Sequence, residues 1–328
     1  MSNSVLNYAI ALQELKTRTL SVFFILLMFV IFSGHYLIQY LVRKAIFAAV
    51  ILTVINNIYD FFHPLSFSIF NVGRPAGFYI NPNQAAAALV LGLIFSIGIL
   101  KPKYRFYFLF FVGVGVLVTL SRGAILGWLI IAILLIKKSI IAHKQILYSS
   151  VILAILALVF LWYQGELLSR LMALSDFNPF YEDSLSQRLE WLSDPSISNS
   201  SESLRVRVMK LGWDMFTQNP LLGKGIAATL DWSETVSTHN MYLYYMVDHG
   251  IFGAFILPIL VWSVTRQARG EAKHIGLLFS TFVLFWGLFS HNILSERYIL
   301  ITFALMGAMT MTSRREQKYR TSHACKVH

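Results

Sequence analysis

Most of this chain consists of apolar runs separated by short polar stretches, many of them basic. That pattern constrains the fold more than any motif does. A segment in a bilayer must satisfy its own backbone hydrogen bonds, so it folds as a helix or as part of a closed barrel. Apolar runs of about 17–25 residues without strict alternation read as helices. Of the 328 residues, 56% are hydrophobic and only 13% charged, roughly half the usual ~25% of a soluble domain. A soluble core could not hide that much apolar surface. The expected class is therefore all-α, a polytopic transmembrane helical bundle. The single cysteine, Cys325, excludes an intrachain disulfide. The first apolar run, from near Leu20, is too long for the core of a cleavable signal peptide and lacks a small-residue cleavage site.

About nine spans are expected, near residues 20–38, 45–62, 83–100, 105–120, 123–137, 145–163, 241–264, 275–291 and 298–312. The net charge of +11 at first suggests nucleic acid. Its distribution argues against that partner, because the basic residues fall in short clusters between apolar runs. These are Arg43-Lys44, Lys101/Lys103/Arg105, Lys137-Lys138 with Lys144, Arg266/Arg269/Lys273, and Arg314-Arg315 onward. Of the acidic residues, only Glu271 and Glu316 join them. This is the pattern of cytoplasmic loops under the positive-inside rule. The expected organisation is a polar or amphipathic segment 1–18, six spans over 19–163, one large and partly helical outer loop 164–238, three spans over 239–312, and a basic cytoplasmic tail 313–328. Alternation puts 1–18 on the outer side with Lys16 and Arg18, against the positive-inside rule. Either the first run is re-entrant or interfacial, or helices precede it in longer relatives. Residues 5–15 are mildly amphipathic and suited to a membrane surface.

The polar residues at the outer ends carry the chemistry. Arg74 lies in Gly73-Arg74-Pro75-Ala76-Gly77-Phe78, shortly before Asn81-Pro82, which reads as a helix cap with proline at the first helical position. Ala85, Ala88 and Gly92 then allow close helix packing. Arg122, in Leu120-Ser121-Arg122-Gly123, interrupts a long apolar stretch and belongs in a tight turn at the rim, since arginine at a helix centre costs about 2.5–3.5 kcal/mol. Each arginine is either an interfacial anchor or part of an anion site. Residues 205–217 read as a helix, with Val208, Leu211 and Met215 on one stripe and Arg205, Met209, Trp213 and Phe216 on another. Arg205 and Arg207, two apart, point to different faces, so only one easily shares a site with Trp213. Asn219-Pro220, Gly223 and Gly225 end that helix.

Thr238-His239-Asn240-Met241 then opens the next apolar run. Ser237, Thr238 or Asn240 is suited to capping it, which would leave His239 incidental. Asp248, beside His249, is an intramembrane carboxylate, either functional or bracing a neighbouring loop. Ser290-His291-Asn292 repeats the His-Asn pairing at another outer end. No metal-ligating set, P-loop or dinucleotide-binding glycine pattern is present in the sequence, and no cofactor is expected.

Taken in order, these motifs resemble the O-antigen ligase family, which includes O-antigen polymerases and O-linked oligosaccharyltransferases. The resemblance rests on Gly73–Phe78 with Asn81–Ala86, on Thr119–Ala124, and on Arg205, Trp213, Asn219–Gly225, Thr238–Leu243 and Gly250–Gly253, and covers roughly residues 45–312. It implies a GT-C-like bundle in the bacterial inner membrane with its site facing the periplasm. It also implies a metal-independent, inverting transfer of a glycan from undecaprenyl diphosphate to a hydroxyl of lipid A–core or of a growing glycan. Arg74, Arg122 and Arg205 would bind the diphosphate and His239 would be the essential histidine. Arg207, Asn240, Asp248 and His291 are secondary candidates, and surrounding lipids are the remaining partners. Family members usually carry ten or more spans. The chemistry fits the residues. Guanidinium groups bind phosphate oxygens bidentately, and a histidine can take the acceptor's proton at neutral pH. The departure of the leaving group gives an oxocarbenium-like transition state. Trp213, Trp232, Tyr242 and Tyr244 are candidates for stacking on sugars or for the interface belt.

Three other readings stand beside this one. A polymerase of O-antigen or exopolysaccharide differs only in its acceptor. A secondary transporter or anion channel would use the rim arginines and Asp248 as a pathway, although the ionisable groups cluster at one face and no repeat is visible. A non-catalytic partner in a glycan-export complex is the third.

Overall fold

The structure is a computed structural model that describes residues 2–63, 67, 75–141, 200–230 and 238–324. The described residues are helical, and no strand occurs among them. Ten helices follow in order: α1 (Ser2–Ser33), α2 (Tyr36–Phe62), α3 (Pro82–Ser96), α4 (Pro102–Val118), α5 (Arg122–Lys137), α6 (Ser200–Gln218), α7 (Met241–His249), α8 (Gly253–Thr265), α9 (Gly270–Trp286) and α10 (Arg297–Ala324). Among the described residues, four stretches are long and apolar enough to cross a membrane: Tyr8–Ser33, Tyr36–Phe62, Pro82–Ile99 and Met241–Thr265. The last runs through the break between α7 and α8. The expected span 145–163 and most of the loop 164–238 lie outside the described residues.

Two boundaries differ from the sequence reading. Residues 1–18 were expected as a segment apart from the first span, yet α1 is unbroken from Ser2 to Ser33. The Arg43-Lys44 cluster was expected in a loop, yet it lies inside α2. The break falls instead at Gly34-His35. Arg43 tolerates the helix because Glu271 accepts from both of its terminal nitrogens, at 2.6 and 3.2 Å. Basic residues signal a loop only when they lack such a partner.

The chain divides into two compact units. The first comprises residues 1–44 and 200–328. In it α1 packs along α10, with Phe29 over Gly307, and Gln39 donates to Phe32 O and Thr312 Oγ1. The outer face of α1 shows Phe23, Leu26, Leu27 and Val30 exposed, as suits lipid contact. Helix α6 lays Val208, Gly212 and Phe216 against α7, where Leu243 and Val247 receive them. Leu211, read on one stripe with Val208, is exposed while Val208 is buried, because the seam follows 208, 212 and 216 at i, i+4 and i+8.

The second unit comprises residues 45–199. Glycines set its helix spacing: at Gly92 a Cβ would strike Val50, and at Gly113 it would strike the Trp128 ring. Asn81 caps α3 as read, its Oδ1 accepting from Asn83 N at 2.8 Å, with Pro82 at the first position. Buried Asp60 accepts from the amides of Ala76 and Gly77, both at 3.0 Å. Gly77 is left-handed (φ 53°), and a Cβ there would collide with Asn56 Oδ1. We expect Gly77→Ala to destabilise this unit by at least the ~1–2 kcal/mol of a left-handed backbone. Thermal unfolding in detergent would check it, and an unchanged midpoint would refute it.

Candidate functional site

The site is built at the start of α7. Asn240 is extended (φ −137°), and its Oδ1 accepts from Leu243 N at 3.1 Å, so it is the cap. Buried Thr238 donates to Asn240 O at 3.2 Å. Between them His239 is left-handed (φ 50°), a conformation that histidine adopts more readily than most residues but which still carries strain. Met241 N donates to Gly287 O at 2.8 Å, which ties the helix start to the loop between α9 and α10. That loop brings His291 edge-on to His239, with ring centroids 5.6 Å apart, and 5.8 Å from the Tyr244 ring. His291 Nδ1 is buried and has no hydrogen-bond partner among the described residues. Burial, and secondarily the charge of Arg205, hold His239 below the ordinary histidine pKa. The ring is therefore neutral at pH 7, as proton acceptance requires.

A charged cluster lies next to it. Arg18 donates to Glu14 Oε1 at 2.8 Å, to Asp248 Oδ2, to Tyr244 OH at 3.2 Å and to His249 Nε2 at 2.9 Å. Arginine can only donate, so His249 accepts through Nε2. The guanidinium also lies 4.7 Å from the Tyr245 ring centroid, within cation–π range. Tyr244 OH donates to Glu14 Oε1 at 2.9 Å. Asp248 Oδ1 accepts from Ala228 N at 3.2 Å, so this carboxylate braces the preceding loop as well as pairing with Arg18.

The break after α7 has a precise fit with the segment following α6. Lys224 N donates to Val247 O at 2.8 Å, Gly225 N to Asp248 O at 3.1 Å, and Ile251 N to Pro220 O at 2.8 Å. A Cβ on Gly223 (φ 75°) would lie 2.5 Å from Asp248 O, and one on Gly250 (φ 64°) would overlap Leu221 O. The glycines do more than end helices. They let two backbones meet and exchange hydrogen bonds.

Of the sequence candidates, Arg205, His239, Asn240, Asp248 and His291 all fall in the first unit. Arg205 is exposed on α6, close enough for its charge to act on His239, and Arg207 is exposed nearby. Trp213 is exposed, and its ring leans on Phe216 with centroids 5.4 Å apart. Tyr242 is tied down by donating to Leu284 O at 2.8 Å. Trp232 lies outside the described residues. Arg122 falls in the second unit as the first residue of α5, after a turn in which Leu120 is left-handed (φ 53°) and Ser121 Oγ donates to Asn83 Oδ1 at 2.8 Å. Arg74 lies outside the described residues. Sequence reasoning missed Glu14 and Arg18 as site residues. The signal was there: an arginine misplaced by charge rules needs a buried anion, and Asp248 was a buried anion in need of a cation.

Fold and site together define a helical membrane protein with a half-buried histidine at a helix start, within range of the Arg205 charge. A family model described as O-Antigen ligase matches residues 106–257, so this stretch is similar to the O-antigen ligase family. That family points to a glycan-modifying enzyme of ligase or polymerase type acting on lipid-linked glycan. The matched stretch contains Arg122, Arg205, His239, Asn240 and Asp248 but neither Arg74 nor His291. No curated protein matches the chain.

Proposed function

We propose that this protein transfers a glycan from undecaprenyl diphosphate to an acceptor hydroxyl on the periplasmic face of the inner membrane. In that reaction the acceptor O–H gives its proton to the His239 ring. The oxygen attacks the anomeric carbon from the face opposite the diphosphate, and the C–O bond to phosphate breaks with inversion. The electron pair leaves on undecaprenyl diphosphate. Arg205, with Arg74 and Arg122, neutralises the departing charge, and stabilisation of this kind is worth about 3–4 kcal/mol per well-placed donor. A diphosphate so neutralised departs without a strong general acid.

The observation that carries this reading is the state of His239: half-buried, neutral, held left-handed ahead of a capped helix, and within reach of Arg205's charge. Transfer from purified lipid-linked glycan by the chain alone, in detergent or nanodiscs, is the direct test. Uptake of solute without any transfer would favour a transporter and overturn it.

The depressed pKa of His239 gives the sign of the pH dependence. The base works only when neutral, so a lowered pKa extends activity to more acid pH. The acid limb of kcat/KM should lie below the ordinary histidine value of about 6.5. Arg205→Gln removes the secondary cause and leaves burial, so the limb should move up toward that value while the rate falls. An acid limb that stays in place in Arg205→Gln would separate Arg205 from the base.

A further inference from the structure

Against His291, whose ring meets that of His239, lies a small cleft of mixed polar and apolar lining, about 70 Å³ in volume, whose near wall belongs to α1. Glu14, Thr17 and Ser21 line it from that helix, Tyr245 from α7, and Asn292 and Ser295 from the loop that carries His291. Glu14, Thr17, Arg18 and Ser21 recur at i, i+3, i+4 and i+7, a single face of a helix that is otherwise largely apolar. Structural need accounts for only part of this stripe. Arg18 neutralises Asp248. Glu14 then adds a second carboxylate, giving a cluster of one cation and two anions. Only its Oε1 accepts, from Arg18 and Tyr244, and Oε2 accepts from none of the described residues. His291 Nδ1, also at this cleft, is buried and has no hydrogen-bond partner among the described residues.

We propose that this cleft is the acceptor's sugar subsite, taking neutral carbohydrate hydroxyls and steering one of them toward His239. The inference rests on the glycosyl-transfer reading. Charge decides between the two substrates. The charged groups that line the cleft, Glu14 and Arg18, are paired with each other, which leaves little attraction for the donor's diphosphate and suits an uncharged polyol edge, which donates O–H groups to a carboxylate and exchanges hydrogen bonds with an amide and hydroxyls. Tyr245 offers an apolar ring beside them. Size decides the depth of entry. Water occupies about 30 Å³ in the liquid, so the cleft admits a hydroxyl or hydroxymethyl edge while the sugar ring stays outside. His291 forms the shared wall, in edge contact with His239 on one side and lining the cleft on the other. A hydroxyl anchored at Glu14 therefore belongs to a sugar lying against the base.

The test uses the full chain in nanodiscs with Glu14→Gln, which keeps shape and removes charge, and Thr17→Trp, which fills the cleft from an exposed helix position. Acceptor is titrated at fixed undecaprenyl diphosphate-linked polysaccharide, with lipid A–core and free polysaccharide as two separate probes, and binding of each probe is followed by native mass spectrometry. The acceptor KM should rise at least tenfold in both variants while the donor KM stays within twofold. Transfer by the unaltered chain with an acceptor KM unchanged in both variants would overturn the cleft assignment alone, as would a shift confined to the donor KM. Binding of either probe that Glu14→Gln weakens tenfold, with no transfer by the unaltered chain, would overturn the transfer reading and leave the cleft standing. Binding of neither probe would overturn the cleft.

Discussion

His239→Ala should lower glycan transfer by about 10²–10⁴-fold, the usual contribution of a general base, while the chain still inserts and folds. The substitution removes a base and also alters a left-handed backbone position (φ 50°). These effects need separating, because alanine is less at ease there than histidine. His239→Asn separates them. Asparagine tolerates the left-handed region and leaves the Asn240 cap intact, but has no nitrogen that accepts a proton at neutral pH. If the proton is what matters, both variants are equally inactive and the Asn variant is the more stable. If backbone geometry is what matters, the Asn variant recovers most of the activity. The measurement is initial-rate transfer with purified protein, supported by complementation scored on surface glycan. Near-normal glycan in His239→Asn would remove His239 as the base. Its neighbours argue for the first outcome: burial and the Arg205 charge keep the ring unprotonated, a poor arrangement for a helix anchor and a good one for a base.

Local chemistry at helix starts was legible from sequence. Asn81-Pro82 announces one cap, and Ser237, Thr238 or Asn240 announces another, because a short polar side chain before an apolar run favours capping. Asn81 caps α3, and of the second set Asn240 is the one that caps. Residues 205–217 were legible as a helix from their period, but its buried face was not. Leu211 and Gly212 swap the roles that hydrophobicity assigns them, since close approach of Leu243 selects the residue with no side chain. Gly223 and Gly250 show the same limit. As a letter Gly223 ends a helix; in the fold it and Gly250 allow two segments joined by hydrogen bonds 23 to 31 positions apart to dock backbone to backbone. Asp248 was legible as a problem, not as a solution. Its partner sits 230 positions away, and no local pattern reports a contact at that separation. The inward helix boundary at Arg43 failed for a related reason, because Glu271, which makes it tolerable, is equally remote in sequence.

The Arg18–Asp248 pair should show the largest stability effect of any charge in the chain. Asp248's side chain is fully buried and Arg18's only 17% exposed, so neither charge is well solvated. Removing one partner leaves the other uncompensated, typically at a cost of about 3–5 kcal/mol. Arg18→Met is thus expected to lower the unfolding midpoint strongly. Asp248→Asn should cost less, because Arg18 keeps Glu14 and the amide oxygen can still accept from Ala228 N. The double variant is expected to be more stable than Arg18→Met alone, since no buried carboxylate is then left unpaired. A double-mutant cycle on thermal unfolding in detergent reads this coupling directly. Additive losses would mean that the two charges do not interact and that α1 is not held here. The sign also bears on the reaction. If the pair holds α1 in place, Arg18→Met loosens Glu14 and Thr17 together, and the acceptor KM should rise alongside the fall in stability. The double variant restores the neutral core without restoring the guanidinium that Glu14 leans on. It should therefore recover stability more fully than acceptor affinity, and that difference is what marks Arg18 as a positioning residue as well as half of an ion pair.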